Sequence, residues 1–341
     1  MLRALALALA LAAAPAGGFE IEDERRFDGR APAAELHVLS TTDTEIAAPL
    51  IEAFLRTRPD LSVRYVMASS RAVHSAIAEE GAAFDLVISS AMDLQMKLAN
   101  DGFARPHASD AAAALPDWAR WRNLLFGFAL EPVVTVVSRS GLAGLPAPQT
   151  RRDLIALLRE NPGRFSGRIA TYDPQVSGAG YLFATEDARQ TDAFWRLAEV
   201  MGRLDARLYC CSVDMIEDLA AGRILIAYNV LGSYAATHAA GNPDAGVIEF
   251  LDFTLALLRT ALIPVAARRP DLGAALLDFL IGPEGQALAR GRTTLPTLDP
   301  GAIRLSAHVR PIRLDPGLLV GLDRMSRATF LREWDAALRQ P

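Results

Sequence analysis

Two α/β lobes, each a helix-flanked mixed sheet, with a cleft between them, form the fold class that this sequence predicts. Three observations predict it. Short apolar runs alternate with amphipathic helical segments, which implies strands whose faces are covered by helices. The chain has 341 residues at 51% hydrophobic composition, more than one compact core usually holds. Clusters of Ser and Thr recur between a strand end and a helix start, where open α/β sheets place their crevice.

The elements follow in order. Met1-Leu2-Arg3 and an Ala/Leu run to Ala14 combine one positive charge, an apolar stretch too short to span a bilayer and a small-residue exit at Ala14-Pro15-Ala16. That pattern predicts a secretory leader over residues 1–16 and a periplasmic mature chain. Leu36-His37-Val38-Leu39 reads as the first strand. Thr42 with Glu45 reads as a capping box for the helix carrying Ile46, Leu50, Ile51, Phe54 and Leu55. Leu61–Val66 is the second strand, followed by Ser69-Ser70-Arg71 and a helix with Val73, Ile77 and Ala78. Phe84–Ile88 is the third, ending at Ser89-Ser90 before a helical face of Met92 and Met96.

Phe126–Val137 reads as a strand crossing into the second lobe, which the Pro-rich Leu145–Pro148 opens. Within that lobe Arg168–Tyr172 and Ile224–Asn229 are strands, and Ser177-Gly178-Ala179-Gly180-Tyr181 starts a helix. The chain returns through Phe250–Ile263, then helices over Leu272–Leu288, and a last helix over Leu318–Leu338. The expected partition is therefore a leader (1–16), a first lobe (17–131), a second lobe (132–253) and a return to the first (254–341).

Composition excludes some classes. A net charge of −5 gives no electrostatic footprint for nucleic acid. His37, His74, His107, His238 and His308 have no metal-site spacing, so neither a metal nor another cofactor is expected. The acidic residues form no visible acid/base pair. Cys210 and Cys211 are adjacent and cannot close a long loop. They read as two small buried side chains at a strand end, with a vicinal disulfide as the alternative in an oxidising compartment.

The candidate site is the set of polar strand tips: Thr41, Thr42, Ser69, Ser70, Ser89, Ser90 and Ser177. Each alone is an ordinary helix cap. Together, on both lobes, they offer hydroxyls and helix N-terminal N–H groups suited to an oxyanion. Gly178 and Gly180, with Ala179 between them, let backbone approach a ligand closely. No Gly-Lys-Ser/Thr follows, so this is not a P-loop, and Gln175 replaces the first Gly of a nucleophile elbow. Arg71 could add a charge-assisted bond to a carboxylate or phosphate.

Phe84–Gly102 (FDLVISSAMDLQMKLANDG), Tyr172–Tyr181 (YDPQVSGAGY), Ile226–Tyr234 (IAYNVLGSY) and the return segment Leu251–Ala266 resemble the type II periplasmic solute-binding proteins of ABC importers. The branch resembled holds binders of ferric iron, sugar phosphates and phosphoglycerate. The resemblance implies a ligand held between lobes by the hydroxyls and glycines above, with Tyr228 and Asn229 added. Ferric binders carry an adjacent Tyr-Tyr pair. Here Tyr228 and Tyr234 are separated by Asn229–Ser233, which favours an organophosphate or carboxylate. The resemblance implies no enzymatic activity. Its implied partners are a small anionic solute and an inner-membrane ABC permease or, alternatively, a sensor-kinase ectodomain. A periplasmic serine hydrolase is the contrasting reading and requires a His and an acid beside one of these serines.

Overall fold

The computed structural model describes residues 18–298 and 307–339; the expected leader, residues 1–16, lies outside them. The first lobe opens with β1 (Asp23–Asp28), β2 (Ala34–Ser40), α1 (Thr44–Thr57), β3 (Leu61–Met67), α2 (Ser70–Ala78), β4 (Leu86–Ser89) and α3 (Met92–Asn100). Short β5 (Ala104–Arg105), α4 (Asp110–Ala114) and β6 (Arg120–Trp121) lead into the long β7 (Leu125–Ser138). The second lobe adds α5 (Arg151–Glu160), α6 (Pro162–Phe165), β8 (Ile169–Tyr172), α7 (Gly178–Gln190) and α8 (Ala193–Arg203). It continues with β9 (Arg207–Tyr209), α9 (Ser212–Ala220), β10 (Ile226–Leu231), α10 (Gly232–Gly241) and β11 (Ala245–Ile248). The chain returns along β12 (Thr254–Pro264), then α11 (Pro270–Ile281), α12 (Pro283–Arg292), β13 (Val309–Pro311) and α13 (Arg324–Leu338).

Strand order is β1-β3-β2-β4-β12-β7-β10-β8-β9. In the first lobe β2 runs parallel to both β3 and β4, with Ser40 opposite Met67 and Ile88. In the second, β8 runs parallel to β10 and β9. Between these halves β7 and β12 run antiparallel, from Phe126 opposite Ala261 to Pro132 opposite Ala256. Every residue of β12 is buried, so this crossing strand is covered on both faces.

The crossing strands nonetheless carry a charge pair. Arg259 Nε donates to Glu131 Oε2 at 2.7 Å, and both side chains are 0% exposed. Arg259 Nη1 donates to Thr42 Oγ1 at 2.6 Å. Glu131 Oε1 accepts the Ser233 N–H at 2.7 Å and the Ser233 hydroxyl as well. The pair thus joins the end of β2 to the start of α10.

Three expectations differ in detail. Asp43, not Thr42, is the N-cap of α1 and makes no side-chain cap bond; the Thr42 hydroxyl, expected to cap, accepts from Arg259 instead. The expected single helix over Leu318–Leu338 is a 3₁₀ turn (Pro316–Leu322) and then α13, broken where Asp323 accepts the N–H groups of Met325 and Ser326 at 3.0 Å each. The sequence expectation places 254–341 on the first lobe, but α13 packs on the second: Phe330 and Trp334 stack on Phe194, and Trp334, Ala337 and Leu338 join that lobe's core.

Replacing Arg259 with Met strands a buried Glu131 carboxylate and should cost about 3–5 kcal/mol in urea denaturation. The double replacement Glu131→Leu with Arg259→Met should recover most of that loss. A single variant as stable as the parent would show that the pair is not the anchor of the crossing strands.

Candidate functional site

The parallel strands end at one place. Thr41 follows β2, Met67 closes β3 with Ala68 and Ser69 after it, and Ser90 follows β4. From the other lobe Tyr172 closes β8, Cys210 follows β9 and Leu231 closes β10. All of these line a cavity of about 120 Å³ between the lobes, together with Glu22, Asp43, Ser177, Ala179, Cys211, Ser212 and Tyr234.

Local bonds hold the hydroxyls in place. The Ser90 N–H donates to Thr41 Oγ1 at 3.1 Å, and the two hydroxyl oxygens lie 3.4 Å apart. Ser69 Oγ caps α2 by accepting the Ala72 N–H at 3.2 Å, and Ser177 Oγ caps α7 by accepting the Gly180 N–H at 3.1 Å. Across the cleft, Ser70 Oγ accepts the Gly178 N–H at 3.1 Å. Ser212 Oγ accepts the Leu231 N–H at 3.1 Å and lies 2.5 Å from the Tyr172 hydroxyl. The Ala179 N–H, at the second position of α7, has no acceptor among the described residues, and Ala179 lines the cavity.

The glycines act by close approach. A Cβ on Gly178 would stand 2.6 Å from Ser70 Oγ, and one on Gly180 would stand 2.4 Å from the Tyr172 Cβ. Gly178 therefore lets the lobes touch, whereas Gly180 lets α7 lie on β8. Gly180→Ala should cost about 1–3 kcal/mol of stability through overpacking, measured by chemical denaturation. Gly178→Ala should leave stability largely intact and shift small-angle scattering toward a more open shape.

Of the expected site residues, Thr41, Ser69, Ser70, Ser90, Ser177 and Ala179 share this cavity. Thr42, Ser89, Tyr228 and Asn229 do not line it, which corrects their expected placement. Thr42 serves Arg259 and also accepts the Tyr65 hydroxyl on its carbonyl at 2.6 Å. Ser89 Oγ accepts the Ala91 N–H at 3.1 Å. Tyr228 and Asn229 both donate to Asp187 Oδ2, at 2.6 and 2.9 Å, within a buried cluster around Arg151. Arg71 turns outward to the Gln175 carbonyl, bridging the lobes beside the cavity. No histidine lines the cavity among the described residues, so the arrangement that a serine hydrolase requires is not assembled there.

Sequence reasoning missed Glu22, Asp43, Tyr172, Ser212 and Tyr234. Glu22 arrives because its N–H donates to the Met67 carbonyl at 2.9 Å, a long-range pairing with no local signature. Burial pushes the Asp43 carboxyl up, and the Tyr234 hydroxyl and Arg259 oppose that rise. Burial pushes Glu22 up as well, reinforced by Asp43, Glu20 and Asp214. The cysteines are not two small buried side chains: Cys210 is exposed, Cys211 is half-buried, and they are disulfide-bonded to each other on the cavity wall. Intact-mass analysis of denatured protein should show no iodoacetamide adduct before reduction and adducts on both cysteines afterwards.

This geometry, two α/β halves joined by crossing strands with a polar cavity between them, defines a two-lobed solute-binding protein of the type II periplasmic class. The chain belongs to the bacterial extracellular solute-binding protein family, whose model matches residues 36–291. It is similar to the substrate-binding protein of an ABC transporter from Agrobacterium tumefaciens, at 32% identity and TM-score 0.89, covering 95% of this chain and 100% of that one. The fold is shared with AfuA of Actinobacillus pleuropneumoniae bound to fructose-6-phosphate, at 16% identity and TM-score 0.74, covering 91% and 100%. It is also shared with iron-bound HitA of Pseudomonas aeruginosa, at 16% identity and TM-score 0.70, covering 89% and 99%. No curated protein matches the sequence. No helix among the described residues is long and apolar enough to cross a membrane.

Proposed function

We propose that this protein captures a small solute bearing an acidic group, an organophosphate or a carboxylate, in the periplasm and presents it to an ABC permease of the inner membrane. The observation that carries the reading is the meeting of Thr41, Ser69, Ser70 and Ser90 from one half with Ser177 and Ser212 from the other around one cavity. The N-termini of α2, α7 and α9 reach it at Ser70, Ala179 and Ser212. Hydroxyls beside helix N-termini are a preformed acceptor of negative charge. The Ala179 N–H and the first N–H groups of α9, at Ser212 and Val213, are backbone donors available to an acidic oxygen. The bound fructose-6-phosphate of AfuA is in keeping with this chemistry.

The lobes are taken as residues 17–131 and 132–253, with the return from 254 contributing mainly to the first. The hinge points are Glu131-Pro132 and Phe253-Thr254, so the crossing strands move least. A leader over residues 1–16 would deliver the chain to the periplasm.

Ligand at about 100-fold excess over Kd should stabilise the folded state by about 2.7 kcal/mol. A thermal-shift screen of phosphorylated sugars, glycerates and di- and tricarboxylates should find such a solute. Ser70→Trp should abolish the shift while leaving the unliganded melting temperature within a few degrees. A shift that survives Ser70→Trp would put the solute elsewhere.

A further inference from the structure

The charge lining the cavity is unevenly distributed. Glu22 and Asp43, both from the first half, face it, and no Lys, Arg or His lines it among the described residues. Arg259 favours the ionised Asp43 but is itself paired with Glu131, and Arg71 is engaged at the Gln175 carbonyl outside. Asp214, in the first turn of α9 on the other half, adds its field to both Glu22 and Asp43. Bringing the halves together therefore gathers three carboxylates, and a purely anionic solute would add to that repulsion.

A second feature points the same way. Tyr172 and Tyr234 line the same cavity, and aromatic faces attract cations, as the Arg259 guanidinium 6.0 Å from the Tyr234 ring centroid illustrates. Tyr234 also holds back the rise of the Asp43 carboxyl, so the two side chains are neighbours on this wall. The donors on the second half, at Ser177, Ala179 and Ser212, face this acidic wall across the gap.

Resting on the cleft reading above, we propose that the solute is a small zwitterion, with a protonated nitrogen held by Glu22, Asp43 and Tyr234 and an acidic group on the start of α7. The nitrogen neutralises the carboxylates as the halves close, which makes closure conditional on a ligand carrying both charges.

Protonation sets the pH dependence. The groups facing Glu22 are Glu20, Asp43 and Asp214, and those facing Asp43 are Tyr234, Arg259, Glu45 and Asp214. Both carboxyls are raised above their ordinary values of 4.5 and 3.8 by burial. A bound cation favours the ionised form, so affinity is full above the raised values and falls as pH drops through them, with proton release on binding.

The experiment is calorimetry on the mature protein with matched probes: L-serine against D-glycerate, β-alanine against propionate, and O-phospho-L-serine against 3-phosphoglycerate. In at least one pair the nitrogen-bearing member should bind at least tenfold more tightly. Asp43→Asn should erase that preference, and Ser70→Trp should erase binding altogether. If nitrogen-free members bind as tightly and still require an open cavity, the charge assignment fails and the cleft reading stands. If binding survives Ser70→Trp, the cleft reading itself fails. Absence of binding by every nitrogen-bearing probe overturns the proposal.

Discussion

A charged pair in the middle of an apolar strand ribbon is costly to bury. Glu131 and Arg259 are tolerated there because every strong donor and acceptor they present is taken up within the protein. The partners they use decide the rest. Arg259 grips Thr42 at the end of β2, and Glu131 grips Ser233 in the first turn of α10. The residues beside those anchors, Thr41, Asp43 and Tyr234, line the cavity. The floor of the cleft is thus positioned from beneath by a pair that never faces it.

The same constraint divides the hydroxyl clusters. In extended backbone, neighbouring side chains point to opposite faces. Thr42 and Ser89 accordingly turn inward to buried partners while Thr41 and Ser90 turn to the cavity and bond each other. At these two tips each dipeptide supplies one structural hydroxyl and one facing the cavity, whereas after β3 both Ser69 and Ser70 line it. Sequence locates the dipeptide. Which member faces out depends on the register of the sheet, which only the assembled strands fix.

That explains what was legible. Alternating runs such as Leu36–Leu39 and Leu61–Val66 carry local periodicity, so the strands and the common location of their polar ends could be read directly. Ser69 and Ser177 could be read as caps because capping is local. Glu22 could not, since β1 shows no apolar alternation and reaches the site only by pairing with β3. The Cys210-Cys211-Ser212 wall follows a strand of three residues, too short to show a period. Tyr228 and Asn229 enter the expected site only through the family resemblance, and the register of β10 takes them out of it. Between Ala227 and Val230 the ladder shifts register, and Asn229 adopts φ 65°. The bulge turns Tyr228 and Asn229 to Asp187 and leaves Leu231 to the cavity.

The Arg259 network ties the two halves together at the crossing strands, and the second half carries a buried arginine network of its own. In the second, Arg151 bonds Asp187, Tyr228 and the Phe253 carbonyl, and its guanidinium lies 3.6 Å from the Phe253 ring centroid. α13 adds a further clamp by stacking on α8. Bodies held this way resist internal deformation, so relative motion has to be absorbed where few such bonds cross. The direct bonds across the cleft at its edge are sparse: Ser70 with Gly178, and Arg71 with the Gln175 carbonyl. Both are polar contacts at a surface that water can reach, worth little on their own. Direct polar bonding across the gap is therefore slight, and the rest of the contact there is α2 and α3 packing on α7, with Leu94 and Ser70 against Gly178, so that glycine sets how closely the halves approach.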